Sequence, residues 1–173
     1  MHERERIDAG IASWARIVPD LDVVTMRTAL LFARVTAFGY KHVEAAFAEV
    51  GLSAGEFDVL ASLLQAPDRT SKPSVLARSG MLSSAGMTHR LDLLERAGFI
   101  ERRPDPDDRR STLVMLTEAG ESKAIEAARA HVAAEAELLD ALGPSAQADL
   151  RSLLEKLLDT YVEATSDQLV PRH

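Results

Sequence analysis

Small polar and basic residues are concentrated between positions 83 and 90. The segment contains Ser83, Ser84, Gly86, Thr88, His89 and Arg90. Hydroxyl groups can bond phosphates or base edges, arginine can bond guanine through two N–H groups, and histidine is a weaker reader. The glycine costs a helix roughly 1 kcal/mol relative to alanine, which close approach to DNA would explain. The pattern predicts the first turns of a helix in a DNA major groove; the alternative is an ordinary capped surface helix.

A second basic group is formed by Arg109 and Arg110. They lie in a run of turn-forming residues, 104–111. Asp107 lies two residues before Arg109 and could orient its guanidinium. A narrow minor groove concentrates negative potential and attracts arginine. Residues 68–112 contain nine lysines and arginines against seven acidic residues, although the whole chain carries a net charge of −7. This balance fits a DNA-binding protein whose acidic body faces away from the duplex. The alternative is a solvated charged face for the charge balance and a solvated turn for the cluster of Asp107, Arg109 and Arg110.

The helices that would position the first group begin at a capping box, Ser53-Ala54-Gly55-Glu56. A polar loop is expected over 67–72, and Pro73 favours the first turn of a short helix over 74–78. Ser79-Gly80 is then expected to end this helix. These features predict the first half of a helix-turn-helix.

The second half is a helix capped by Ser83 or Ser84 and running to about Arg96. Gly98 is expected at its C′ position, where a left-handed backbone ends many helices. Its inward face is expected to carry Met87, Leu91, Leu94 and Ala97.

Two short β-like runs, 99–103 and 112–116, flank the turn that carries Arg109 and Arg110. A β-hairpin attached directly to a helix-turn-helix is a winged helix. The predicted fold is therefore mainly α with a small β-hairpin.

Long helices are expected at both ends of the chain, over 25–50, 118–142 and 150–162. Thr117 is the expected N-cap of the second, and Gly143-Pro144 separates the last two, which we expect to form an antiparallel hairpin. The first is apolar on most sides, and the third carries one leucine-rich stripe. One chain of 173 residues offers too little surface to cover them, so we infer a homodimer; the alternative is a monomeric helix bundle.

Composition excludes several other classes. There are no cysteines, no apolar run reaches the roughly 18 residues of a membrane span, and the charged N-terminus predicts a cytoplasmic protein. Hydrolase, kinase and zinc-protease motifs are absent from the sequence, and its five histidines show no metal-ligand spacing. We therefore expect that the protein is not an enzyme and that it binds no cofactor or metal. A winged-helix module that binds protein is the alternative to a DNA-binding protein.

The segment 83–103, the wing 105–110 and Leu116-Thr117-Glu118-Ala119-Gly120 together resemble the MarR family of transcriptional regulators. The resemblance covers roughly residues 30–165. It implies a triangular homodimer with a single domain per chain: residues 1–50 and 117–165 dimerise, and residues 53–116 form the winged helix-turn-helix. It also implies a pseudo-palindromic operator in double-stranded DNA.

A narrower resemblance, to the urate-responsive branch of this family, is carried by the segments 12–26 and 55–60. It implies that Trp14, Arg90 and Arg102 bind a flat anion such as urate, which displaces Asp58. Arg90 then pulls the recognition helix out of register.

Each of these four residues also has a simpler interpretation. Trp14 could staple the N-terminal segment, Asp58 could favour the dipole of its helix, and Arg90 and Arg102 could contact DNA or solvent. Another effector, such as an aromatic acid or a tricarboxylate, would use the same arginines.

Overall fold

Helices account for most of the chain in this computed structural model, which describes residues 2–79, 84–106, 108 and 111–169. The elements are α1 (Glu3–Ile17), α2 (Val23–Glu49), α3 (Ala54–Gln65), a short 3₁₀ turn (Pro67–Arg69), β1 (Thr70–Ser71), α4 (Pro73–Ser79), α5 (Ser84–Arg96), β2 (Ile100–Pro104), β3 (Thr112–Leu116), α6 (Glu118–Leu139) and α7 (Pro144–Leu169). The predicted mainly α fold with a small β-structure is confirmed.

The core of the winged helix lies where α3, α4 and α5 pack against the sheet. Its fully buried members include Leu60, Leu63, Leu94, Ile100 and Val114. The predicted inward face of α5 is confirmed for Met87, Leu91 and Leu94. It is wrong for Ala97, which is exposed because α5 ends at Arg96 and the chain turns away at Gly98, with φ +75°.

The sheet has three antiparallel strands in the order β1-β3-β2. The prediction of a polar loop over 67–72 is wrong for Thr70 and Ser71, because they pair with Met115 and Val114 of β3. Two residues are too few to show an alternating pattern in the sequence. The turn before β1 places two non-glycine residues, Asp68 and Arg69, at positive φ of 48° and 52°.

Capping side chains fix the starts of two helices as expected. The Ser53 hydroxyl accepts a bond of 3.3 Å from the Glu56 amide, and the Ser53 amide donates to the Glu56 carboxylate at 2.7 Å. At α6, the Gly120 amide donates to the Thr117 hydroxyl, which itself donates to the Gly98 carbonyl at 2.8 Å. Through these two bonds, Thr117 connects Gly98, which follows α5, to the start of α6.

The residues group into two compact units, Met1–Ala134 and Glu135–His173. In the first unit, α2 buries only Phe47 fully among its described residues and leaves Phe32, Val35 and Phe38 more than half exposed. In the second unit, α7 begins at the predicted Pro144 and leaves Leu153, Leu157 and Leu158 more than half exposed. Within the described ranges, no helix is long and apolar enough to cross a bilayer.

Candidate nucleic-acid interface and effector site

Helix α5 presents its polar residues away from the core. Because Met87, Leu91 and Leu94 face inward, Thr88 and His89 lie exposed on the opposite side, where a duplex can reach them. Gly86 is half-buried, Ser84 is the first residue of the helix, and Ser83 lies outside the described residues.

Arg90 differs from its neighbours on α5, because its guanidinium lies against α3. The backbone of Gly55 is so close that a Cβ atom there would lie 2.8 Å from Arg90 Cζ and nearer still to Nε. In this arrangement, the arginine predicted to read guanine is turned toward its own protein.

Asp58, one turn along α3 from Gly55, faces the same arginine. Surrounding protein removes part of the water from the Asp58 carboxyl and raises its pKa, and the positive charges of Arg90 and His131 lower it by less. The His131 ring of α6 packs against two phenylalanines, Phe47 and Phe57, with ring centroids 5.2 and 5.6 Å away.

Tyr40 of α2 belongs to the same cluster. Its hydroxyl donates a hydrogen bond to Glu44, which raises the pKa of the phenol, and the charges of Asp58 and Arg90 act on it in opposite directions. Residues from α2, α3, α5 and α6 therefore interact electrostatically behind α5. Tyr40, Glu44 and His131 were not predicted here; the only sequence signal is the i,i+4 spacing of the first two.

Trp14 lies in different surroundings, beside a cavity of about 290 Å³ between α1 and α2. The α1 side is formed by Glu3, Arg6, Ile7, Gly10 and Trp14, and the α2 side by Met26, Leu30 and Arg34. The residues lining this cavity do not include Asp58, Arg90 or Arg102.

Arg102 of β2 forms ion pairs with two acidic residues of α5. Its Nη1 atom lies 2.7 Å from Asp92 Oδ1 and 3.3 Å from Glu95 Oε2. Of the four residues predicted to bind an effector, the structure therefore brings together Asp58 and Arg90 and places Trp14 and Arg102 beside other partners.

The base of the wing is held by a buried carboxylate that was also not predicted. Asp105 is 5% exposed and pairs with Lys72 Nζ at 2.8 Å, and its amide donates to the Ser111 carbonyl. Lys72 immediately precedes α4, so the pair connects the wing to the helix-turn-helix. Asp107, Arg109 and Arg110 lie outside the described residues.

Metal-binding side chains do not cluster: in the described part of the chain, no group of three histidine, aspartate or glutamate residues is placed to hold an ion. The arrangement offers an exposed polar side of α5 and two groups of side chains that contain arginine, one around Arg90 and one around Arg34.

The MarR family model matches residues 52–112, the range that contains the winged helix. The HTH-type transcriptional regulator PecS of Dickeya dadantii (strain 3937) is 34% identical over 149 residues, which cover 85% of this chain and 89% of PecS. This chain belongs to the MarR family. It is a DNA-binding transcriptional regulator, and its named relatives confirm the prediction that it is not an enzyme.

Solved MarR-family structures share the fold. E. coli MarR in its apo form has a TM-score of 0.65 and 27% identity, covering 75% of this chain and 96% of that chain. Mycobacterium tuberculosis Rv2887 in complex with DNA has a TM-score of 0.61 and 31% identity, covering 75% and 95%. The same protein in complex with p-aminosalicylic acid has a TM-score of 0.60, 32% identity and coverage of 75% and 96%.

Proposed function

We propose that this MarR-family chain is a homodimeric repressor that leaves a pseudo-palindromic operator when a small flat anion, urate or a related molecule, binds. The observation that carries this proposal is the cluster behind α5. The Arg90 guanidinium of α5 lies against Gly55 of α3. Asp58 on α3 interacts electrostatically with Arg90, with His131 of α6 and with Tyr40 of α2. A change in this cluster would move the recognition helix relative to the rest of the chain.

DNA is contacted by the exposed side of α5 and by the wing. Thr88 and His89 face solvent, and Ser84 and Gly86 lie in the first turn of α5, where a major-groove helix reads bases. Ser83, the residue before this helix in the sequence, is a further proposed DNA contact. Arg109 and Arg110 enter the minor groove. Rv2887 and E. coli MarR, both similar in fold, have been solved with DNA.

Dimerisation covers the apolar surfaces of the terminal helices. Phe32, Val35 and Phe38 of α2 and Leu157 and Leu158 of α7 each expose more than half of their surface. Isolated monomers rarely expose large apolar patches to water. A second copy of the chain is the partner that buries it.

The effector acts through Trp14, Asp58, Arg90 and Arg102. The Asp58 carboxyl is already partly desolvated, and the charge of Arg90 offsets only part of that cost. An anion that competes for this arginine would repel Asp58 and free α5. Arg102 transmits the change because its ion pairs with Asp92 and Glu95 connect β2 to the same helix.

An aromatic carboxylate is the second candidate effector. Rv2887, 32% identical to this chain, has been solved in complex with p-aminosalicylic acid. A flat ring and one negative charge are common to that molecule and to urate.

Binding of a duplex obtained by in vitro selection tests the DNA half of the proposal. Log affinity is expected to fall steeply as log salt rises, because arginines displace counterions from the phosphates. Arg109→Ala should weaken binding by about 1–3 kcal/mol and flatten the salt dependence. Arg129→Ala, an exposed arginine on α6, is the matched control. Equal affinity and equal salt dependence in the two variants would remove the wing from the interface.

A further inference from the structure

The cavity between α1 and α2 combines an aromatic ring with two cations. Trp14 is 52% exposed at its edge, and Ile7, Met26 and Leu30 form apolar walls. Arg6 and Arg34 bring positive charge from opposite helices. Ligand sites typically pair an apolar lining with a few polar groups that fix orientation, and this cavity has that composition.

A carboxylate of the chain itself already lies between these two arginines. Glu3 Oε1 is 3.2 Å from Arg34 Nε, and Glu3 Oε2 is 3.8 Å from Arg6 Nη1. Each oxygen faces a different guanidinium, so the two arginines are spaced to receive one carboxylate or a comparably small anionic group.

The ion pairs of Glu3 with Arg6 and Arg34 are weak enough for another anion to replace Glu3. The side chains of Arg34, Glu3 and Arg6 are 54%, 31% and 61% exposed. Ion pairs this open to water contribute little net free energy, because solvent screens them and two flexible side chains must be ordered. A ligand that carries both an anion and a ring would keep both charge contacts and add contact with Trp14.

We propose that Arg34 and Arg6 bind the anionic group of a small planar ligand whose ring lies against Trp14, and that the ligand takes the place of Glu3. This inference rests on the proposed function for the assignment of Trp14 to an effector site. It places the anionic group at Arg6 and Arg34, in a cavity whose lining does not include Arg90, and it makes Glu3 an internal competitor that lowers ligand affinity.

The size of the cavity limits the ligand class. Small-molecule sites generally measure roughly 300–1,000 Å³, and the volume of this cavity, about 290 Å³, is just below that range. The cavity therefore suits one ring or two fused rings with a single anionic group. Monocyclic aromatic carboxylates and urate share this chemistry.

Direct binding to the DNA-free dimer tests the inference. Calorimetry and quenching of Trp14, the single tryptophan, are followed with urate and with benzoate, and benzamide serves as the uncharged analogue. We expect at least one of the two anions to bind and quench Trp14, and benzamide to bind about tenfold more weakly than benzoate if benzoate is that anion. If both anions fail to bind, or if benzamide matches a benzoate that binds, the proposal is wrong.

Three variants separate the roles of the charges. Arg34→Gln should weaken binding of that anion by about tenfold or more, and Arg34→Lys should recover part of it. Glu3→Gln should bind it about two- to fivefold more tightly, because the competitor has lost its charge. Arg27→Gln is the matched control: Arg27 also joins α2 to α1, through Asp8, but does not line the cavity.

The outcome of each comparison decides the proposal. Equal affinities for Arg34→Gln and Arg27→Gln would overturn it, as would weaker binding by Glu3→Gln. Gly10→Leu is a second test of the cavity. A Cβ atom at position 10 meets nothing within 4 Å, so the leucine side chain can fill part of the cavity and should weaken binding of the anion. Anion binding that follows these expectations without releasing DNA would refute the proposed function and leave this site standing.

Discussion

The guanidinium of Arg90 lies directly over the backbone of Gly55. The absence of a side chain at position 55 allows an arginine of the recognition helix to reach α3 and face Asp58. A glycine at this helical position is therefore explained by close approach of another element rather than by a turn, since only Gly51 and Gly98 among the described glycines have positive φ.

Gly55→Ala is expected to change function more than stability. The added methyl group meets the flexible end of Arg90, which can move, and alanine improves helix propensity by about 1 kcal/mol. The thermal midpoint should stay within about 4 °C of wild type, while operator affinity changes as Arg90 leaves its place. Thermal melts and fluorescence anisotropy of the same samples separate the two effects. A wild-type anisotropy curve would show that the position of Arg90 is irrelevant to DNA binding.

Gly120→Ala provides the contrasting case, because its neighbour is rigid. A Cβ atom at position 120 would lie 2.8 Å from the carbonyl carbon of Phe99 and closer to its oxygen, and this backbone also accepts the Thr117 amide at 3.1 Å. We expect a loss of roughly 1–3 kcal/mol in the free energy of unfolding. Urea titration measures it. Stability equal to wild type would mean that α6 can shift away from the backbone of Phe99 at no cost in free energy.

Asp58 should make the protein less stable as pH rises through the mildly acidic range. Burial raises the pKa of the folded carboxyl. Between the ordinary pKa of about 4 and the raised value, the unfolded chain therefore binds fewer protons than the folded chain, and the free energy of unfolding falls with pH. Asp58→Asn should remove this decline, whereas Asp20→Asn, at an exposed position outside the cluster, should retain it. Urea titrations across this pH range measure the free energy of unfolding of both variants. If that free energy changes with pH in the same way in both, Asp58 is not the group responsible.

Charge in the leucine stripe of α7 should abolish the dimer. Leu154 and Leu158 are 40% and 63% exposed in the single chain. Glutamates at both positions would then meet the partner's apolar surface without a counter-charge, which is costly. Analytical ultracentrifugation of the Leu154→Glu, Leu158→Glu variant should show no folded dimer. A dimer of normal thermal stability would place the interface elsewhere.

The sequence could predict the elements because their signals are local. The Ser53 capping box, the Thr117 cap and the left-handed Gly98 each depend on residues within a few positions of one another. Strand β1 was missed because its pairing with β3 depends on residues more than forty positions away.

The site was predicted less completely than the fold for the same reason. Motif resemblance identified Asp58 and Arg90, which the fold brings together. No periodicity in the sequence could show that Tyr40 and His131 join them, or that Trp14 shares a cavity with Arg34. These relationships arise only when α2 is packed against α1 and the other helices.

The reciprocal effect of urate and operator DNA on each other's binding tests the proposed regulation most directly. Operator affinity is measured at rising urate concentrations, and urate affinity is measured with and without saturating operator. Thermodynamic linkage requires the two factors to be equal, and we expect urate to weaken operator binding by about 5–150-fold. Operator affinity that stays constant in urate concentrations that saturate the Trp14 quenching signal would contradict the account.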